Sequence, residues 1–394
     1  MASSYDFHLP DALIAQSPPQ RRGDSRLLLV EPGQGVAGEI PFREISQVLR
    51  AGDRLVLNES RVMPARLQTV RTDTGGRVEV LLLRPVDDGQ GWLCMAKPAR
   101  RLRPGLQLRV TPPPGGNSRR PPILNILRRG TEDEDGQIVV GTKTNLATVA
   151  EQWGVMPLPP YIQRAESDQE QDTQDRARYQ TVYAQADETG AGSVAAPTAG
   201  LHFSEATLQR LTAMGVSISR VSLHVGPGTF KPPSEEQIES RRLHREFFQM
   251  PAATNQEISC TRAAGGRVIA VGTTALRVLE TVARLGLPDN AEGVVKFEPD
   301  NDSSFIGEAR AVAGSWEVSG ETRLFVRPPD KITAADGLLT NFHLPESSLL
   351  MLVAALMGDD IWPDVYAYAV QQNLKFYSYG DCMLILPSTP TAPE

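Results

Sequence analysis

The stretch that decides the fold is RVIAVGTTALRVLE at residues 267–280, where a short apolar run meets a glycine and then a helix-like segment. The run Arg267–Val271 is apolar and rich in β-branched residues, which predicts a strand. The turn Gly272–Thr274 follows, and the segment from about Ala275 to Leu285 predicts a helix that one of the turn threonines caps. A strand that enters a helix through so short a turn is the unit from which α/β sheets are built.

Three other segments repeat the pattern of a strand followed by a turn that contains Gly or Pro. They are residues 193–196 before PTAGLHF at 197–203, residues 216–225 before GPGTF at 226–230, and residues 337–340 before NFHLP at 341–345. We expect one helix from about Ser204 to Met214, capped by Ser204, and another that begins at Pro345 and runs through Met357. The pattern predicts a largely parallel, doubly wound sheet in an α/β domain, with ligands at the carboxyl ends of the strands.

A different pattern occupies residues 61–155, where short strand-like runs alternate with turns. The runs are Val78–Leu83, Trp92–Ala96, Leu106–Val110, Ile123–Leu127 and Ile138–Val140. Their spacing predicts a small β-barrel or sandwich. We therefore expect an α/β domain made of residues 1–60 and 156–394, interrupted by a small β domain at 61–155. The roles of the loops at 112–122 and 165–178 stay open.

Composition excludes several classes of protein. With 40% apolar and 22% charged residues in 394, the chain has the composition of a globular protein and not of a wholly disordered one. The first ten residues lack the features of a secretory signal, and the longest apolar run, Leu349–Met357, is too short to span a bilayer and predicts a buried helix. Three cysteines without a CxxC pair argue against a zinc ribbon or an iron–sulfur cluster. We expect a cytoplasmic protein without a membrane partner.

Positive charge is concentrated in the predicted β domain. From Lys97 to Arg129 the chain has nine basic residues and no acidic one, so this stretch carries +9 and the rest carries −16, for a net charge of −7. Such a block predicts contacts with nucleic-acid phosphates, and a solvated arginine-rich surface is the alternative. The candidate nucleic-acid contacts are Arg100, Arg101, Arg103, Arg119, Arg120, Arg128 and Arg129.

Three of the five histidines fall where predicted strands end. His202 and His343 lie in strand-to-helix turns, and His224 stands two residues before the Gly-Pro-Gly turn. Together they favour an acid–base site, although a single histidine often only bonds a backbone carbonyl. Glu346, three residues after His343, is a secondary catalytic candidate. No HxH or HExxH spacing occurs, so we expect no metal.

The turns at the strand ends also offer hydrogen-bond donors to a substrate. Gly272–Thr274 open a predicted helix, whose N-terminus attracts a carboxylate or phosphate, and Arg277 follows within one turn. Neither glycine turn matches a known phosphate-loop motif, so each signal is weak by itself. The full set of candidate substrate-binding residues is Asn58, Arg61, Thr198, Gly200, Gly226, Gly228, Thr229, Gly272, Thr273, Thr274, Arg277 and Asn341.

Long motifs in a fixed order resemble one protein family. Four of them are SVAAPTAGLHF at 193–203, LHVGPGTF at 223–230, RVIAVGTTALRVLE at 267–280 and LLTNFHLPESSLLMLVAA at 338–355. YDFHLPDALIAQSPPQRRGDSRLL at 5–28, NESRVMPARL at 58–67, MPLPPYIQR at 156–164 and YQTVYA at 179–184 agree in order. Over nearly its whole length the chain is similar to the S-adenosylmethionine:tRNA ribosyltransferase-isomerases of queuosine biosynthesis.

The resemblance implies a reaction, a fold and partners. The family transfers the ribosyl part of S-adenosylmethionine onto the aminomethyl group of a 7-deazaguanine at the tRNA wobble position. The ribose is rearranged there to an epoxycyclopentanediol, which gives epoxyqueuosine, and adenine and methionine leave. The implied fold is a three-layer α/β domain with an inserted β-barrel, and the implied partner is the tRNA anticodon loop, with no metal and no obligate protein partner. We assign proton transfer to His202 and His224, with His343 and Glu346 as the next candidates.

The chain departs from the family pattern in two places. Where members often carry IxxHxMHxE, this chain has Arg241 at the first histidine, which leaves the role of His244, in a polar helix-like stretch RRLHREFF at 241–248, uncertain. The family's YPG appears as RPP at 327–329. Two other functions stay open. One is an S-adenosylmethionine-dependent tRNA methyltransferase, against which the missing ExGxGxG motif argues, and the other is a non-catalytic tRNA-binding module.

Overall fold

The computed structural model describes residues 2–86, 89–113, 120–131, 137–164, 169–185, 192–226, 232–298 and 304–387. The chain divides into two compact units. Unit 1 comprises Met1–Glu59, Thr181–Tyr183 and Pro197–Glu394, and unit 2 comprises Ser60–Gln180 and Ala184–Ala196. Unit 2 therefore includes residues on both sides of the three-residue segment Thr181–Tyr183, which belongs to unit 1.

Unit 1 contains an eleven-stranded sheet in the order β13-β14-β15-β11-β10-β3-β12-β16-β17-β1-β2. Its strands are β1 Arg26–Glu31, β2 Gly35–Pro41, β3 Arg54–Asn58, β10 Ser217–Leu223, β11 Arg242–Met250, β12 Val268–Val271, β13 Val294–Phe297, β14 Phe305–Val312, β15 Ser315–Leu324, β16 Gly337–Asn341 and β17 Cys382–Ile385. Its α-helices are α3 Glu205–Ala213, α4 Glu235–Ser240, α5 Ala252–Ala263, α6 Thr273–Arg284, α7 Ser348–Met357 and α8 Trp362–Gln371. Among the described residues of unit 1, 3-10 helices cover Ala2–Tyr5, Asp11–Leu13, Phe42–Gln47 and Thr198–His202.

The sheet is mixed, so the expectation of a largely parallel sheet is wrong. The pairs β10–β3, β3–β12, β12–β16 and β17–β1 are parallel, and the other neighbouring pairs of the described strands are antiparallel. Most of the difference comes from β13, β14 and β15, which pair as an antiparallel meander, and from β11, which pairs antiparallel with β15 and β10. The stretch at 241–248, interpreted as helix-like, lies mostly in β11, where Glu246, Phe248 and Met250 alternate as buried residues with exposed Phe247 and Gln249. A period of two is the signature of a strand.

The parallel part of the sheet is buried on both faces, as a helix-covered sheet requires. On one face, Leu55, Leu57, Ile269 and Val271 pack in a core cluster that also contains Phe203 and other residues of the flanking helices. On the opposite face Val56, Ala270 and Leu338 are fully buried as well. This arrangement confirms the predicted α/β architecture.

Helix ends agree with the sequence in part. The Ser204 Oγ accepts a hydrogen bond from the Thr207 N–H at 3.1 Å and caps α3, as predicted. Gly272, with a φ of 89°, caps α6 instead of a threonine, because the sharp turn out of β12 needs a left-handed residue. The predicted start of α7 at Pro345 is wrong, since the helix begins at Ser348 and Ser347 caps it. Within the described residues, no helix is long and apolar enough to cross a membrane.

Unit 2 contains a closed antiparallel barrel in the order β4-β5-β6-β9-β8-β7, which confirms the predicted barrel. Its strands are β4 Arg66–Arg71, β5 Arg77–Val86, β6 Gly91–Lys97, β7 Gln107–Val110, β8 Ile123–Arg129 and β9 Ile138–Gly141. Alternate residues of the strands, such as Val78, Val80 and Leu82 of β5, fill the interior. The sequence analysis missed β4, whose residues at 66–71 are mostly polar. Two helices, α1 Leu146–Trp153 and α2 Gln169–Arg178, follow the barrel.

Candidate active site

The carboxyl ends of the four adjacent strands β10, β3, β12 and β16 lie at one edge of the sheet, because these strands run parallel. Asn58, the last residue of β3, ties three of these segments together. Its Nδ2 donates to the Leu223 carbonyl oxygen at 3.0 Å and to the Thr274 Oγ1 at 3.2 Å, and its Oδ1 accepts from the Leu223 N–H at 3.1 Å. Asn58 is fully buried, so it fixes the edge from within.

A second network on this edge surrounds His202. The Asn341 Nδ2 lies 3.1 Å from the His202 Nε2, and the Ser25 Oγ lies 2.7 Å from the His202 Nδ1. The same Nδ2 donates to the Tyr377 carbonyl oxygen at 3.1 Å, and the Asn341 Oδ1 accepts from Thr198 at 3.0 Å. Because a carbonyl oxygen only accepts, these contacts assign the amide orientation, so Nε2 of His202 accepts and Nδ1 carries the proton.

Burial keeps the His202 ring neutral. Loss of hydration, with a smaller contribution from the positive charge of Arg22, lowers the pKa of His202 to about 3. The ring also packs against Phe42, with 5.2 Å between ring centroids. Near neutral pH, His202 is therefore an oriented hydrogen-bonding group and not a proton donor in its imidazolium form.

His343 has separate partners. Its Nε2 lies 2.9 Å from the Thr340 Oγ1, and its backbone N–H donates to the Tyr366 hydroxyl at 3.2 Å. Burial lowers the pKa of His343 to about 3 as well. Glu346 is half-buried in a left-handed backbone conformation, and its N–H donates to the Tyr5 carbonyl oxygen at 2.9 Å. These partners of His343 do not include His202, and the two histidines belong to separate hydrogen-bond networks.

His224 follows the last residue of β10 and is half-buried. Its backbone N–H donates to the Phe247 carbonyl oxygen at 2.9 Å, and the two rings meet edge to face at 5.8 Å. Gly226 is the last described residue of this segment, and the predicted site residues Gly228 and Thr229 lie outside the described residues.

Gly226 is bonded to a buried ion pair. The Gly226 N–H donates to the Glu246 Oε1 at 3.1 Å, and the other carboxylate oxygen of Glu246 binds the Arg277 Nη1. The side chains of Arg277 and Glu246 are 5% and 3% exposed. Arg277, predicted to bind substrate, thus already has a carboxylate partner within the protein.

The remaining predicted substrate residues differ in their surroundings. Thr273 and Thr274 are buried in the first turn of α6. Gly200 packs so closely on Tyr183 that an added Cβ would overlap the phenol oxygen. Arg61 belongs to unit 2, where it is exposed and forms an ion pair with Glu151 at 3.2 Å.

Most of the predicted phosphate contacts are exposed on unit 2. Arg100, Arg101, Arg103 and Arg120 are exposed, Arg128 is half-buried, and Arg119 lies outside the described residues. Arg129 has an additional role: its Nη2 donates to the carbonyl oxygens of Ala99 and Leu102 at 3.1 Å and of Arg100 at 3.4 Å. Arg129 therefore holds the turn that displays three other arginines.

Sequence reasoning missed three residues at the edge. Glu246 was hidden because its strand was interpreted as a helix. Its place two residues before Phe248 and four before Met250 was the available signal. Ser25 lies 177 residues from His202, and no local pattern predicts such a contact. Tyr183, in the YQTVYA motif, packs against Gly200. Arg241, which replaces a family histidine, binds Asp330.

The fold and this edge define an α/β protein with a closed barrel in a second unit and a histidine-containing polar site at its strand ends. A sequence profile of the family described as queuosine biosynthesis protein matches residues 2–385. A curated S-adenosylmethionine:tRNA ribosyltransferase-isomerase from Acidithiobacillus ferrooxidans is 44% identical over 387 residues, which is 97% of each chain. The enzyme of that name from Phenylobacterium zucineum is 42% identical over 97% of this chain and 98% of its own.

A solved structure agrees. The S-adenosylmethionine tRNA ribosyltransferase of Thermotoga maritima is 30% identical, with a TM-score of 0.50, over 97% of this chain and all of the other. The chain belongs to the family of queuosine biosynthesis proteins. This confirms the family resemblance and the enzymatic role in queuosine biosynthesis that the sequence predicts. Among the residues that the structure describes, no three His, Cys, Asp or Glu side chains gather as a metal site.

Proposed function

We propose that this chain transfers and isomerises the ribosyl moiety of S-adenosylmethionine onto 7-aminomethyl-7-deazaguanine at the tRNA wobble position. The product is epoxyqueuosine, and adenine and methionine leave. The observation that carries the proposal is the match over 97% of the chain to relatives with this named activity. The free state of all three cysteines supports the cytoplasmic location that we propose with it.

The donor subsite in this proposal lies at the carboxyl edge of the parallel strands. The first turn of α6, at Gly272–Thr274, presents a helix N-terminus, which favours the methionine carboxylate. Asn58 holds that turn against the end of β10 through Thr274 and Leu223. Thr198 and Asn341, which share a hydrogen bond, contribute hydroxyl and amide groups suited to ribose hydroxyls.

The proposed reaction requires proton transfers, for which histidine is suited as an acid or a base. A base must remove a proton next to the sulfonium, and an acid must assist the departure of adenine. We propose His224 for proton transfer, since it is half-buried and stands at the strand end. His202, which burial keeps neutral, serves as an oriented hydrogen-bond partner or base, and His343 and Glu346 are the next candidates.

The tRNA contacts that we propose lie on unit 2. The exposed Arg100, Arg101 and Arg103 occupy one turn, and Arg129 keeps its shape. Guanidinium groups displayed in this way suit backbone phosphates, which position an RNA without reading its sequence. The wobble base lies in a single-stranded loop, so it enters a pocket without the opening of a duplex.

The deciding experiment is a product assay. Purified protein is incubated with S-adenosylmethionine and tRNA that carries the aminomethyl-deazaguanine, and the products are analysed by mass spectrometry. Free adenine, methionine and a heavier wobble nucleoside, all dependent on tRNA, are expected. S-adenosylhomocysteine with a methylated tRNA would instead identify a methyltransferase, and tRNA binding without any product would identify a binding module.

A further inference from the structure

Glu246 is a carboxylate on the core-facing side of a strand. β11 alternates buried and exposed residues from Glu246 to Met250, and its pairing with β15 shifts register between Arg242 and Glu246. Because Glu246 and Phe248 are two residues apart in the regularly paired part of the strand, Glu246 lies on the same face as the buried Phe248. Apolar residues normally occupy such positions, because a buried charge is costly unless an opposite charge and hydrogen bonds compensate it.

The two oxygens of Glu246 bond to two different segments of the candidate site. Oε1 accepts from the N–H of Gly226, three residues after the end of β10, at 3.1 Å. Oε2 binds Arg277, which lies on α6 one turn after Gly272–Thr274. One buried side chain therefore links the segment after β10 to the helix after β12.

The strength of the link depends on both charges being present. Arg277 is 4% exposed, and its guanidinium forms an ion pair with Glu246. The Nε of Arg277 has no hydrogen-bond partner among the described residues. Removal of one member of a buried pair leaves an uncompensated charge and is strongly destabilising, whereas replacement of both by neutral groups is often tolerated. A contribution to stability is therefore not enough to explain this buried pair. Its effect on the geometry of the site is an alternative explanation.

We infer that Glu246 is a positioning residue, which holds Gly226, after the end of β10, and the first turn of α6 at the spacing that S-adenosylmethionine requires. The inference rests on the proposed function, because it assigns the donor to these two segments. Glu246 acts through Arg277 and Gly226 and does not itself touch the donor. Small errors in such positioning reduce turnover strongly, since reacting groups must be aligned within about 1 Å.

The test combines stability with kinetics in the full-length protein. Glu246→Gln is expected to lower Tm and to reduce kcat/KM for S-adenosylmethionine by about 10- to 100-fold, with the KM for tRNA within about twofold of wild type. In the double variant Glu246→Gln/Arg277→Gln, Tm is expected to recover because no charge is left unpaired, while kcat/KM stays low. Assays are run at a temperature at which circular dichroism shows each variant folded.

Two controls make the result decisive. Glu321→Gln removes a half-exposed ion pair to Arg245 and should leave kcat/KM unchanged. Gly266→Ala would overlap the Gly52 carbonyl oxygen near the amino ends of β12 and β3, so it destabilises unit 1 at the opposite end of these strands and should also leave kcat/KM within about twofold. A wild-type kcat/KM in Glu246→Gln, or recovery of both Tm and kcat/KM in the double variant, would overturn the inference. Absence of product with wild-type protein would instead overturn the proposed function.

Discussion

His202 shows how one residue takes its properties from its surroundings. Its ring is buried, and both ring nitrogens have partners, Ser25 on one side and Asn341 on the other. Burial lowers its pKa from 6.5 to about 3, and His343 has the same shift for the same reason. Below pH 6.5, these histidines are protonated in the unfolded chain, whereas in the folded chain they stay neutral down to about pH 3.

The pH dependence of stability follows from these two groups. Since the folded-state pKa is depressed, stability is complete above pH 6.5 and is lost as the pH falls towards about 3. Each histidine contributes a slope of up to about 1.4 kcal/mol per pH unit within this window. The free energy of unfolding, measured by urea denaturation at several pH values between about pH 7 and pH 5, should therefore depend less steeply on pH for His202→Gln than for wild type. The exposed His8 is the control, and a His8→Gln slope as shallow as that of His202→Gln would contradict the prediction.

Tyr183 allows a second prediction at this scale. Its hydroxyl is buried and, within the described residues, has no hydrogen-bond partner, and burial raises its pKa. Tyr183→Phe removes this unsatisfied group and is expected to leave the free energy of unfolding unchanged or to raise it by up to about 1 kcal/mol.

Tyr366→Phe is the matched comparison for Tyr183→Phe. The Tyr366 hydroxyl accepts from the His343 N–H, so its removal should lower the free energy of unfolding by about 1–3 kcal/mol. Urea denaturation measures both variants. A greater loss in Tyr183→Phe than in Tyr366→Phe would show that the Tyr183 hydroxyl has a structural partner.

Sequence reasoning reached some of these residues and not others, for a physical reason. His202 and Asn341 were candidates because local patterns mark both segments, although His202 ends a 3-10 helix that no strand at 193–196 precedes, and Asn341 is the last residue of β16. Ser25 was not a candidate, because its contact to His202 depends on how residues far apart in the chain pack. Glu246 was missed for a different reason: the charges that follow Leu243 obscured an alternation that only begins at Glu246 itself.

At the scale of elements, β14 and β15 approach each other through a pair of glycines. Gly307 faces Gly320 across the ladder, and the Phe305 ring packs beside both. A Cβ added at Gly307 would overlap the Ser319 carbonyl oxygen and the Gly320 Cα. Backbone atoms cannot move aside as a flexible side chain can.

Gly307→Ala is therefore expected to lower the free energy of unfolding by about 1–3 kcal/mol. Gly38→Ala is the control, because Gly38 also lies in a strand but has open space where a Cβ would stand. Thermal and urea denaturation of both variants measure the difference. Equal stability of the two variants would mean that the strands separate easily at Gly307.

The elements themselves were predictable where one pattern governed them. β3, Arg54–Asn58, extends one residue beyond its apolar run at each end, and the apolar runs mark five of the six barrel strands correctly. The failures were strands such as β4 and β11, whose polar residues face outward on one side. Pro345 misled for another reason, since its fixed φ suits the approach to α7 as well as a first helical turn.

At the scale of the whole molecule, charge is divided between the units. The net charge is −7, yet the stretch from Lys97 to Arg129 in unit 2 carries +9. If the turn with Arg100, Arg101 and Arg103 contacts phosphates, changing all three to Gln should reduce the slope of log Kd against log salt by about 2–3. Binding of tRNA measured at several salt concentrations gives this slope.

Arg310→Gln is the control for the salt experiment. Arg310 lies in β14 of unit 1 and pairs with Glu308 at 2.7 Å, so the slope should be unchanged. An unchanged slope in the triple variant would show that the turn does not contact RNA, and the phosphate contacts would then be sought elsewhere on the protein.

Unit 1 is made of three separate segments of the chain, and this affects how the protein folds during synthesis on the ribosome. The six barrel strands emerge in one run from Arg66 to Gly141, so their partners are present as soon as that run is made. β3 is synthesised before the barrel but pairs with β10 and β12, which are synthesised after it, and β1 pairs with β17 at Cys382–Ile385. The central sheet can thus close only when translation is almost finished. The apolar strand β3 has no partner strand until β10 and then β12 have been made, and during that interval its apolar residues are exposed to wrong contacts.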